Sequence, residues 1–191
     1  DMQLILTLVF TMIASIILGM GSPTTANYII TSTIALPAIL ALNDQLDVAV
    51  PVLAAHMFVF YFGIVADITP PVALAAFAAT GISGGEPMRT GGNAVKLAIA
   101  AFIIPYMFVL QPEILMIDTN VWEVTFIVIT ALMGMNAIGA SMVGYWYRKI
   151  PWYVRIIAFL TGLLLMYPGT MSDIIGIPAF ALLIILQFVI K

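Results

Sequence analysis

The residues of this chain with chemistry to offer sit at two interruptions of otherwise apolar sequence. The first is Gly19-Met20-Gly21-Ser22-Pro23-Thr24-Thr25-Ala26-Asn27, between apolar runs at 2–18 and 28–42. The second is Ala66-Asp67-Ile68-Thr69-Pro70-Pro71, between an apolar run at 48–65 and a small-residue run, Val72–Thr80. Gly19 and Gly21 permit positive φ and close backbone approach. Pro23 suits the first turn of a following helix, where its missing N–H would go unpaired anyway. Ser22, Thr24 and Thr25 can cap that helix or offer hydroxyl oxygens to an ion. Asn27 brings an amide that both donates and accepts. Asp67 brings a carboxylate, which costs roughly 2.5–3.5 kcal/mol near a bilayer centre and so needs a cation, a helix N-terminus or a proton beside it. Thr69 can cap a helix begun by Pro70-Pro71, with Asp67 adding negative charge at that positive end. Two plainer readings fit the same residues: a simple loop between crossing helices for the first stretch, and helix capping without an ion for the second.

The elements that must position these residues are membrane helices. Of 191 residues, 63% are hydrophobic and 8% charged, against roughly 25% charged in a soluble domain. A soluble fold needs a polar coat that this composition cannot supply. A bilayer removes that need, and apolar runs of about 20 residues cross it as helices. The chain has no cysteine, which excludes a disulfide framework, a thiolate zinc site and a Cys nucleophile. The net charge of -3 and the absence of a basic patch argue against nucleic acid. No Ser/His/Asp set, paired catalytic carboxylates or phosphate loop points to an enzyme. The chain opens on Asp1 without a basic leader, and we expect it to be part of a longer protein.

Non-helical backbone within a bilayer costs several kcal/mol per unpaired group, so it survives only against protein or a water-filled cavity. Breaks inside two neighbouring apolar segments are the mark of discontinuous helices, whose free ends bind ions and carboxylates. The pattern predicts two broken units, 1–42 and 48–82, each able to be a re-entrant hairpin or a broken crossing helix, then a Gly-rich loop over Gly81–Gly92 and ordinary spans at about 94–111, 121–146, 152–168 and 174–190. Lys and Arg cluster in the 81–96 and 148–155 loops and at the C-terminus, which places these on the cytoplasmic side. Charge weakly prefers Asp44 and Asp47 outside. His56 and Asn136 read as interhelical hydrogen-bonding groups. Trp122, Trp146 and Trp152, with Tyr145, Tyr147 and Tyr153, read as an interfacial aromatic belt.

The first break, continued to Tyr28, resembles the hairpin-tip motif in the large membrane subunit of TRAP (tripartite ATP-independent periplasmic) transporters, most closely the fused-permease type. Asp67-Ile68-Thr69-Pro70-Pro71-Val72 resembles the Thr-Pro-Pro segment of the same subunits. Gly81-Ile82-Ser83-Gly84 and Ile104-Pro105-Tyr106 also fit. The resemblance covers roughly 1–116 as a second-repeat transport region, leaving 117–191 as extra C-terminal helices of the kind found in fused permeases. Many large subunits carry an acidic residue at the tip; this chain has Ser22-Pro23-Thr24 there.

The resemblance implies an all-α polytopic membrane protein of the elevator type, with inverted repeats of which this chain holds the second. It implies a re-entrant hairpin tipped near Gly21, entered from the periplasmic side, and a crossing helix unwound at Asp67. Sodium would sit between the breaks, near Gly19, Gly21, Thr24, Thr25, Asp67 and Thr69. Ser22, Asn27 and Pro70 would lie near the substrate, usually an organic acid delivered by a periplasmic binding protein. The other implied partners are the remainder of the permease (first repeat and small-subunit region) and the lipid of a bacterial inner membrane. The alternative from a different class is a structural or assembly subunit with no ion or substrate site.

Overall fold

The computed structural model describes residues 2–43, 49–167 and 169–189. Asp44 and Asp47, assigned to the outside above, lie outside the described residues. Ten α-helices account for most of the rest, and the described residues include no β-strand beyond one isolated bridge, Tyr145 to Lys149. Three of the helices, α1 (Met2–Gly19), α8 (Val121–Val143) and α10 (Thr170–Val189), are long and apolar enough to cross a membrane. The chain is an all-α, multi-pass membrane protein. It divides into two compact units, one of residues 1–95 and 101–112, the other of 96–100 and 113–191.

In the first unit, α1 ends at Gly19 and the chain turns through Gly21, at φ 80°, into α2 (Thr24–Ile34). A short α3 (Leu36–Leu40) follows Ala35, where Pro37 has no N–H with which to continue α2. Asn43 then clasps Val50 in both directions, donating to its carbonyl at 2.9 Å and accepting from its N–H at 2.8 Å. α4 (Val52–Val65) is the centre of this unit. Ala54, Ala55, Phe58, Val59 and Phe62 are fully buried, and α1 and α2 both pack on it. Phe58 and Phe62 meet Tyr106 edge-on, at centroid distances of 5.2 and 5.8 Å. Tyr106 in turn donates to the Met12 sulfur at 3.3 Å.

The broken helix continues as a 3-10 turn, Ala66–Ile68, then the prolines, then α5 (Leu74–Ser83). Two expectations are corrected beyond it. Residues 87–92 are helical rather than a loop. The Glu86 carboxylate accepts from the N–H groups of Met88 and Arg89, and Pro87 opens α6 (Pro87–Leu97) as a proline does best at a first helical position. The span expected at 94–111 is instead a bent pair, with α6 and α7 (Ile99–Leu110) meeting at 44°.

In the second unit, α8, α9 (Trp152–Met166) and α10 pack together. The span expected over 152–168 is a 15-residue helix, about 22 Å long at 1.5 Å per residue. Asn120 caps α8 through its side chain, and Gly144, at φ 76°, ends it. Most of the aromatic belt is exposed as expected, but Trp146 is half-buried against Phe180 at 5.4 Å. Asn136 points outward from α8 and is not one of the buried interhelical groups.

Candidate functional site

Both breaks open onto one cleft of about 450 Å³, lined by Gly21, Ser22, Pro23 and Thr24 from the first and Asp67, Leu74 and Ala75 from the second. Two helices start at its wall. α2 begins at Thr24 and α5 at Leu74, and neither has a side chain capping its first N–H groups. Their positive ends are therefore available to an anion. Asp67 is the only Asp, Glu, Lys or Arg among the described residues from 2 to 85. The cleft thus joins one carboxylate, two uncapped helix N-termini and the hydroxyls of Ser22 and Thr24.

Behind the cleft the hairpin is locked to α4 through Asn27. This side chain is 1% exposed and donates Nδ2 to the Gly63 carbonyl at 2.6 Å. Its Oδ1 is buried and has no partner. Glycine is required on both sides of the amide. A Cβ at Gly19 would lie 2.6 Å from Asn27 Nδ2 and 2.8 Å from the Gly63 carbonyl, and one at Gly63 would lie 2.6 Å from Asn27 Oδ1. One turn before Gly19, the fully buried Ser15 hydroxyl is also unpartnered. Tyr28, beside Asn27, meets His56 Nδ1 at 2.9 Å, so His56 is the interhelical hydrogen-bonding group expected of it.

The end of α4 is closed by Thr69, whose hydroxyl donates to the Val65 carbonyl at 2.7 Å and whose N–H bonds the Ala66 carbonyl at 3.1 Å. Thr69 is therefore a C-terminal stop and not the cap of the next helix. That helix starts at Leu74, after Ala73 in the left-handed region at φ 39°. A non-glycine residue there costs roughly 1–2 kcal/mol, and buried packing around Ala73 must hold it.

The anticipated site residues thus fall into separate places. Gly21, Ser22, Thr24 and Asp67 line the cleft, while Gly19 and Asn27 form the joint behind it. Thr25 is exposed, Thr69 is turned onto α4, and Pro70 lies where a Cβ on Gly91 would touch it at 3.0 Å. The described residues hold no group of three or more His, Cys, Asp or Glu able to grip a metal. A cation here would have to use hydroxyls, amide oxygens, carbonyls and Asp67. A carbonyl already accepting one hydrogen bond keeps a second lone pair for that purpose. Gly63 and Ser15 were missed in the sequence. Their signal was a glycine within an aromatic helix and the four-residue spacing of Thr11, Ser15 and Gly19.

The family model described as tripartite ATP-independent periplasmic transporter, DctM component, matches residues 1–123. The chain belongs to this family. The match takes in both breaks, the cleft and the Asn27 joint, so the geometry above lies in the permease region of a TRAP transporter. No curated protein and no solved structure matches the chain.

Proposed function

We propose that this DctM-family chain is the C-terminal part of a permease for sodium-coupled uptake of a small organic acid. The observation that carries the reading is the meeting of both helix breaks at one cleft, where a carboxylate stands beside two uncapped helix N-termini. The helix ends suit the carboxylate of the substrate. Asp67 by itself opposes that anion. At a separation of ~5 Å and an effective dielectric of ~20, two like charges repel by about 3 kcal/mol. A sodium ion at Asp67, with the Ser22 and Thr24 hydroxyls near it, cancels that repulsion, so acid binding depends on prior sodium binding. The orphan Asn27 Oδ1 and the crossing at Gly19 offer a second place for a small cation with oxygen ligands.

The fuller reading is an elevator-type transporter of the bacterial inner membrane, in which α1 and α2 form a re-entrant hairpin and a periplasmic binding protein delivers the substrate. The remainder of the permease would supply the first repeat and the small-subunit region.

The test is uptake by the whole permease in reconstituted vesicles. Asp67→Asn removes the repulsion together with the ion's anionic ligand. It should flatten the dependence of uptake on sodium while leaving measurable binding of the acid. Unchanged sodium dependence in Asp67→Asn would sink this role.

A further inference from the structure

We propose that the outward face of α9 is a binding site for one anionic phospholipid, with its phosphate on Arg155 and an acyl chain along the helix. Arg155 is held in place from α8. Its Nε donates to the Ser141 carbonyl at 2.6 Å and its Nη2 to the Met142 carbonyl at 2.9 Å. Those bonds use two of the five guanidinium N–H donors. The same side chain lines a cavity of about 370 Å³ with Trp152, Ile156, Phe159 and Leu160. A second cavity of about 400 Å³, formed by Leu160, Leu163, Leu164 and Tyr167, shares Leu160 with it. Spacings of three and four residues put all of these on one side of α9. The result is a track with a fixed cation at its head and apolar side chains below.

Its length and charge favour a lipid over other occupants. From Arg155 to Tyr167 the helix rises about 18 Å, close to the ~15 Å hydrocarbon depth of one leaflet. Trp152, 74% exposed at the start of the helix, has the amphipathic ring found at headgroup level. Three of the six Lys and Arg residues lie at 148–155, and no Asp or Glu occurs between 124 and 172. This end of the unit therefore carries local positive charge that matches the anionic lipid of a cytoplasmic leaflet.

Native mass spectrometry of the whole permease, titrated with phosphatidylglycerol and with phosphatidylcholine, tests the site. The wild-type chain should retain phosphatidylglycerol roughly fivefold to tenfold better than phosphatidylcholine. Arg155→Gln should remove that preference and Arg155→Lys keep it. Leu160→Trp fills the track from outside and should lower retention of both lipids. If Arg155→Gln fails to fold, the Leu160→Trp result decides. Equal retention of the two lipids by the wild-type chain overturns the proposal, as does full retention by Leu160→Trp. Leu160→Cys, in a permease with any cysteine outside these residues replaced, also offers a cross-link. A disulfide between two copies in native membranes means that protein covers this face, and it overturns the proposal too.

Discussion

Gly19 and Gly63 in the first unit, and Gly134 and Gly162 in the second, each let two helices approach closer than a side chain would permit. What fills the crossing differs. At Gly134 and Gly162, the Met166 and Ile138 side chains come nearest, and each glycine also faces the other's backbone carbonyl. A Cβ on Gly162 would lie 2.7 Å from the Gly134 carbonyl, and one on Gly134 would lie 2.9 Å from the Gly162 carbonyl. Ile138 and Met166 close the surroundings, and both glycines lie within their helices. At Gly63 the groups facing the glycine all belong to one side chain, Asn27, and both flanking segments break within a few residues. The second crossing is a small-residue packing device of the kind that holds membrane helices together. The first uses the same closeness to bury an amide with an unused oxygen beside a polar cleft. A buried polar group without its partner is costly, and the first joint carries that cost at Asn27 Oδ1.

The comparison can be broken by substitution. The largest effect belongs to Gly162→Ala, where the new methyl meets the Ile138 side chain at 2.5 Å and, at 2.7 Å, a backbone carbonyl that cannot move aside. Overpacking of this kind costs about 3 kcal/mol at the upper end of the usual range. It should show as a lower midpoint of thermal unfolding in detergent, and adding Ile138→Ala should not restore it. Gly63→Ala should cost about 2 kcal/mol, but here Asn27→Ala in the same chain should recover most of the loss. A double-mutant cycle showing no coupling between positions 27 and 63 would mean that the amide is not what the glycine accommodates. Gly21→Ala should cost about 1 kcal/mol through its positive φ alone, since the nearest atom to a Cβ there is Val72 Cγ1 at 3.8 Å. Smallest of all, Gly139→Ala meets nothing within 4 Å. It should leave stability unchanged or raise it by at most about 1 kcal/mol, the helix propensity difference. A large loss at Gly139 would show that this face of α8 is packed in the membrane.

Much of the first unit was legible because its breaks are written in residue types. Glycine, proline and threonine interrupting apolar runs located the ends of α1 and α4, and with them Gly21, Ser22, Pro23, Thr24 and Asp67 of the residues that line the cleft. Asp67 stood out as a lone carboxylate in apolar sequence. Partnership was not legible, because it depends on which helices cross. The pattern could not say that Asn27 reaches Gly63, 36 positions away, or that Thr69 turns back onto Val65 and leaves α5 to start at Leu74. The helix at 87–92 was missed because two adjacent glycines, Gly91 and Gly92, suggest a loop. The Glu86 cap and the fit of Gly91 against Pro70 and Phe77 outweigh their poor helix propensity. In the second unit the apolar spans were plain, but the Arg155 clamp was not, since its acceptors are main-chain carbonyls that leave no mark in side-chain pattern.

The proposed function requires that an ion and an acid enter the cleft onto which both breaks open. The most direct measurement is the labelling rate of Ser22→Cys by a membrane-impermeant maleimide, in vesicles holding the whole permease with any cysteine outside these 191 residues replaced. Sodium should slow labelling and sodium with substrate should slow it further, with both effects weakened when Asp67→Asn is added. A thiol that reacts freely from one aqueous side, at a rate indifferent to sodium and substrate, would contradict it.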